Sequence, residues 1–140
     1  MNPKPNGKTI LVIDDEAELL LTIKEYLESE GYQVFTADNG FAAMEVMKMG
    51  MIPNLILLDM KMPIMNGWEF ALEFLNKHDH MSPIVVLTAA GDAEQRAKDI
   101  SAIGWVEKPF NLNSLLNKIK LYERKSNKAA ELPEAPSPSI

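Results

Sequence analysis

The chain has 140 residues, room for one ordinary domain and little more. Hydrophobic residues make up 46% and charged residues 24%, globular proportions that exclude a largely disordered polymer. Twenty acidic against fourteen basic side chains leave a net charge of −6, which repels nucleic acid, and the absence of Cys removes disulfide staples, thiolate zinc sites and cysteine nucleophiles.

In chain order, residues 1–7 carry two prolines and a glycine, which reads as a flexible tail and not as a secretory leader. Thr9-Ile10-Leu11-Val12-Ile13 is a continuous aliphatic run, the pattern of a parallel strand covered by helices on both faces. An amphipathic stretch over 16–29 follows, with Leu19, Leu20, Ile23 and Leu27 on one face and Gly31 where a helix C-cap belongs. Tyr32-Gln33-Val34-Phe35-Thr36 is less hydrophobic, as an edge strand should be. Asn39 stands where helix 40–49 needs its N-cap, and Gly50 where that helix needs its end. Leu55-Ile56-Leu57-Leu58 predicts a third strand, 67–77 a helix, Ile84-Val85-Val86-Leu87 a fourth strand and 92–102 a helix. Gly104-Trp105-Val106-Glu107 predicts a second edge strand, and 112–124 the last helix. From Lys125 onward the chain is polar with three prolines and reads as a disordered tail, so the ordered domain is expected over 8–124. No apolar run approaches the roughly 18 residues of a membrane span, and a cytoplasmic protein is expected. Five strands alternating with five helices predict an α/β, flavodoxin-like, doubly wound parallel sheet of order 2-1-3-4-5.

In such a sheet, ligands bind beyond the carboxyl ends of the strands, where the strand order reverses. Strand one runs into Asp14-Asp15-Glu16 and strand three into Asp59. Strand four ends in Thr88, before the small residues Ala89 and Ala90, and strand five leads to Lys108-Pro109. An acid pair, a third carboxylate, a hydroxyl and an ammonium thus converge on one edge. Three carboxylates in one crevice repel unless a cation neutralises them. Hard oxygen donors without His or Cys suit Mg²⁺, held by Asp14 and Asp15 with one oxygen of Asp59. The other Asp59 oxygen is then free to attack phosphorus and form an acyl phosphate. Lys108 would neutralise the equatorial oxygens, and Thr88 would donate its hydroxyl to the attached phosphoryl group.

The stretches Ile10-Leu11-Val12-Ile13-Asp14-Asp15-Glu16, Leu57-Leu58-Asp59-Met60-Lys61-Met62-Pro63-Ile64-Met65-Asn66-Gly67, Val86-Leu87-Thr88-Ala89 and Val106-Glu107-Lys108-Pro109-Phe110 carry a resemblance. Together they resemble the receiver domain of bacterial two-component response regulators, of the stand-alone, single-domain type. The resemblance covers about residues 8–122. It implies that Asp59 is the phosphoacceptor and that Asp14 and Asp15 bind Mg²⁺ with the backbone carbonyl of Lys61. It implies that Thr88 and Lys108 contact the phosphoryl group and that the Lys108-Pro109 peptide bond is cis. Trp105 falls at the strand-five aromatic of the family's two-position switch, where Tyr or Phe is more usual. The implied donor is a phosphohistidine on a histidine kinase or histidine phosphotransfer protein. Output would pass by protein–protein interaction with a downstream target or by onward phosphotransfer, from a monomer or weak dimer, without nucleic acid or membrane. Such a protein is not an enzyme beyond its own phosphorylation and slow dephosphorylation.

Each residue also has a plainer reading. Asp14 or Asp15 could cap the first helix, Thr88 could be a strand residue or the cap of the next helix, and Lys108 could be a surface charge. Met44, Met47, Met60 and Met62 read as core fillers. His78 and His80 read as a solvated loop. A phosphorylation-independent scaffold is one alternative function. A haloacid-dehalogenase-like phosphatase is another, but that family needs an Asp two residues after the first-strand nucleophile, and Glu16 occupies that place.

Overall fold

The computed structural model describes residues 5–78, 82–89 and 91–131, apart from the side chains of residues 75, 78 and 125–131. Ala90, His80, the side chain of His78 and residues 132–140 therefore lie outside the described residues. Five strands, β1 (Thr9–Ile13), β2 (Gln33–Ala37), β3 (Leu55–Asp59), β4 (Ile84–Ala89) and β5 (Gly104–Lys108), alternate with five helices. These are α1 (Ala17–Ser29), α2 (Gly40–Met47), α3 (Gly67–His78), α4 (Ala93–Asp99) and α5 (Leu112–Glu131). All strand pairs are parallel and the order is β2-β1-β3-β4-β5, as expected. β1 aligns Ile13 with Ala37 on one side and with Leu58 on the other, which brings the residues after β1 beside the end of β3.

The aliphatic runs put alternate side chains on opposite faces, and helices cover both. Ile10, Val12, Leu55, Leu57, Val85 and Leu87 face α1 and α5, against Ile23, Leu27, Leu115 and Ile119. Leu11, Ile13, Ile56, Leu58, Ile84 and Val86 face α2, α3 and α4, against Met44, Met47, Phe70 and Phe74. Met44, Met47 and Met60 are buried fillers and Met62 packs half-buried against the same cluster, whereas Met49 is 86% exposed. No helix among the described residues is long and apolar enough to cross a membrane.

Helix ends explain where the boundaries differ from the sequence pattern. After α1, Gly31 adopts φ 95°, its N–H donates to the Glu28 carbonyl, and the Tyr32 N–H donates to the Leu27 carbonyl. That left-handed closure uses Tyr32, so β2 begins at Gln33. Asn39 caps α2 as expected, its side chain accepting from the Ala42 N–H at 2.8 Å. α4 stops at Asp99, three residues before the expected end. Ser101 takes φ 55° there, with its N–H on the Lys98 carbonyl and the Ala102 N–H on the Ala97 carbonyl, the same closure without a glycine to announce it. α5 runs on to Glu131, into the segment read as a tail. Lys, Ala and Glu between 125 and 131 are good helix formers, and no proline interrupts the sequence between Leu112 and Glu131.

Candidate functional site

The carboxyl ends of β1, β3 and β5 meet at one edge of the sheet. Asp14 follows β1 directly and is fully buried, its N–H continuing the strand pairing to the Ala37 carbonyl at 3.1 Å. Its Oδ1 accepts the Glu16 N–H at 2.9 Å and its Oδ2 lies 2.6 Å from Lys108 Nζ. Neither Asp14 nor Asp15 is the α1 cap that the plainer reading allowed: the N-cap position is Glu16, and it makes no side-chain capping bond. Asp59 is the last residue of β3 and 5% exposed, with Oδ1 accepting the Lys61 N–H at 3.3 Å and Oδ2 at 3.7 Å from Lys108 Nζ. One carboxylate oxygen from each of Asp14, Asp15 and Asp59 lies within 4.8 Å of the other two. Asp15 is the exposed member of the three and opens the cluster to solvent.

Lys108 ends β5 and reaches across the cluster. Its third partner is Glu16 Oε1 at 3.5 Å, a contact the sequence reading missed because Glu16 resembles an ordinary first-turn acid. The peptide bond from Lys108 to Pro109 is cis. Thr88 is 2% exposed on β4, one residue past Leu87, the register partner of Asp59. It shares the edge, and its hydroxyl makes no hydrogen bond to the carboxylates among the described residues. Lys61 is exposed, and its backbone N–H serves Asp59.

Trp105 on β5 pairs with Val86 on β4 and packs half-buried on the α3 and α4 side of the sheet. Its backbone is held from the opposite side. The Tyr122 hydroxyl accepts the Trp105 N–H at 3.3 Å and donates to the Trp105 carbonyl at 3.2 Å. Gly104 makes this approach possible, because a Cβ there would collide with the Tyr122 ring. Nothing at position 122 marks that role in the sequence beyond an aromatic on the helix face. Beside the carboxylates opens a cleft of about 460 Å³, lined by Glu16, Leu19, Ala89, Lys108, Pro109 and Phe110.

The charges decide what the site can hold. Burial, then the neighbouring Asp14 charge, push the Asp59 carboxyl up to about 6, although Lys108 and the Lys61 N–H pull it down. Burial works against the Lys108 ammonium, but its hydrogen bond to Asp14 and the charges of Asp14, Asp59 and Glu16 outweigh that and hold it above the usual lysine value. One ammonium therefore does not neutralise this group of acids. An all-oxygen donor set with surplus negative charge fits a small hard dication, and Mg²⁺ is the one whose chemistry it matches.

The comparisons with known proteins agree with this fold. Residues 10–120 match the family model described as the response regulator receiver domain. The chain is 33% identical over 118 residues to sporulation initiation phosphotransferase F of Bacillus subtilis, covering 83% of this chain and 94% of that one. It is 35% identical over 117 residues to the transcriptional regulatory protein PdtaR of Mycobacterium tuberculosis, covering 81% of this chain but 56% of that longer protein. The chemotaxis protein CheY4 of Vibrio cholerae superposes with a TM-score of 0.73 at 29% identity, over 81% of this chain and 97% of that one. A CheY-like receiver domain protein from Methanospirillum hungatei gives 0.77 at 27% identity, over 87% and 98%. With its sheet order, its acidic edge and its matched span all in accord, the chain belongs to the response regulator receiver domain family.

Proposed function

We propose that the chain is a phosphorylation switch in which Asp59 accepts a phosphoryl group from a phosphohistidine on a histidine kinase or histidine phosphotransfer protein. The observation that carries this is the juxtaposition of Asp14, Asp15 and Asp59 with Lys108 Nζ, 2.6 Å from Asp14 and 3.7 Å from Asp59, at the open edge of the sheet. Asp14 and Asp15, with the Lys61 carbonyl, would hold Mg²⁺, which when bound supplies charge neutralisation for the acids and for phosphoryl oxygens. An Asp59 oxygen attacks phosphorus in line. The O–P bond forms as the P–N bond breaks, and its electron pair leaves with the donor imidazole. Lys108 then meets the charge on the equatorial oxygens, and Thr88 donates its hydroxyl to one of them.

The attached dianion shifts a population between two arrangements. Moving a two-state equilibrium from 1:99 to 99:1 takes about 5.5 kcal/mol. A few charge-assisted hydrogen bonds of about 1.5–3 kcal/mol each supply that amount. Trp105 would turn with Thr88, within the limits that its half-buried indole allows. Onward transfer of the phosphoryl group is the favoured output, because the Bacillus relative matched over 94% of its length is by name a phosphotransferase. Turnover of other substrates is not expected, nor is binding of nucleic acid or membrane. Incubation with a small-molecule phosphodonor and Mg²⁺ should label the wild-type chain once, and Asp59→Asn should abolish the label. Undiminished labelling of Asp59→Asn would put the acceptor elsewhere.

A further inference from the structure

The segment that follows Asp59 and the segment that follows Thr88 are tied together away from the carboxylates. α3 starts hard against the acceptor strand: the Gly67 N–H donates to the Met60 carbonyl at 3.1 Å. A Cβ on Gly67 would stand 2.7 Å from Met60 Cα and 2.9 Å from the Asp59 carbonyl oxygen. With no slack there, a shift of the Asp59 backbone carries Trp68, the next residue of α3, with it. The Trp68 ring lies under the Arg96 guanidinium of α4, 5.1 Å from the ring centroid. Arg96 in turn bridges Asp92 at 3.4 Å and Asp99 at 3.3 Å. The Gln95 side-chain amide donates to Asp99 Oδ1 at 2.8 Å, and the hydrogen bonds from Gln95 and Arg96 hold the Asp99 carboxyl below the usual carboxylate range. Asp92 stands four residues past Thr88 in the same connection.

Apart from the clasp, α4 is held by its packing on β4 and β5, where Ala97 joins the buried cluster. It has seven residues, and the side chains it buries are those of Ala93 and Ala97, which remove little apolar area from water. The clasp itself is incompletely satisfied: Asp92 Oδ1 and Arg96 Nε are buried without a hydrogen-bond partner among the described residues. Buried polar atoms with unmet bonding capacity are costly, and an element held that way is readily exchanged for another arrangement.

We propose that the Trp68–Arg96–Asp99 clasp is a latch that holds α4, with Asp92 at its start, against α3, and so sets how tightly the site takes up a phosphoryl group. The proposal rests on the phosphoacceptor reading above. Thr88 would meet a group on Asp59 by a movement of the end of β4 toward β3, and a latch that fixes α4 against α3 resists that movement. Whatever stabilises one arrangement lowers the apparent affinity of a ligand that prefers another.

The test uses the full chain with beryllofluoride and Mg²⁺ as the phosphoryl mimic, in wild type, Arg96→Met, Trp68→Leu and Arg96→Lys. Calorimetry gives the affinity and hydrogen exchange reports the α4 amides. Arg96→Met and Trp68→Leu should bind beryllofluoride at least threefold more tightly than wild type, with faster α4 exchange in the ligand-free state. Arg96→Lys, which keeps the charge but not the fork, should fall between. Two single variants on different helices keep the test decisive if one fails to fold. Equal or weaker binding in a folded variant, with normal binding by wild type, overturns the latch and leaves the phosphoacceptor reading standing. Absence of binding by wild type overturns both.

Discussion

Asp59 carries a conflict that belongs to a single residue. Burial and the Asp14 charge raise its carboxyl to about 6, against an ordinary value near 4 in the unfolded chain. Between those values the folded state binds more protons, so the cation-free protein is most stable below about pH 4 with respect to this group. Stability falls as pH rises to about 6 and stays lower above it, by on the order of 2–3 kcal/mol. Unfolding in urea with a chelator present should therefore show Asp59→Asn more stable than wild type at pH 7, with the gap closing toward pH 4. The same gap at both pH values would remove Asp59 as the source. Mg²⁺ should narrow the gap at pH 7 by neutralising the group in place. Lys108 was legible as a strand-end cation, but its partnership with Glu16 was not, because side-chain reach across a crevice leaves no periodic signal.

At the scale of elements, the strands were the legible part. Runs such as Leu55–Leu58 and Ile84–Leu87 are aliphatic because helices cover both faces, and that pattern reads directly from composition. Local backbone geometry was less so. Ser101 and Ile64 adopt positive φ without being glycines, and Ile64 does so at φ 68° in a tight turn closed by the Met65 N–H on the Pro63 carbonyl. A β-branched residue there is strained, and its neighbours hold it: the Met65 carbonyl accepts the Gly40 N–H, while Asn66 and Glu69 bond each other's backbone N–H groups at the start of α3. The packing of α5 under β5 was equally hidden, since it depends on what Gly104 lacks. Gly104→Ala should cost about 2 kcal/mol, because the Tyr122 ring has to move and takes its bonds to the Trp105 backbone with it. Chemical unfolding checks this, and a change within 0.5 kcal/mol would show that the ring has room to give.

For the whole molecule, alternation of strand and helix predicted the topology, and the topology then brought three distant acids together. Asp14 and Asp59 are far apart in the chain, yet parallel pairing of β1 with β3 makes their strand ends neighbours. That is why the site could be read from strand ends alone, while the clasp between Trp68 and Arg96 could not: it joins two helices by a contact no strand rule anticipates. The account stands on the acids acting as one cation site beside the acceptor. Calorimetric titration with Mg²⁺ tests this directly, comparing wild type with Asp14→Asn/Asp15→Asn. The expected result is one Mg²⁺ per wild-type chain and at least a tenfold loss of affinity in the double variant. No divalent uptake by wild type, or equal uptake by both proteins, would contradict it.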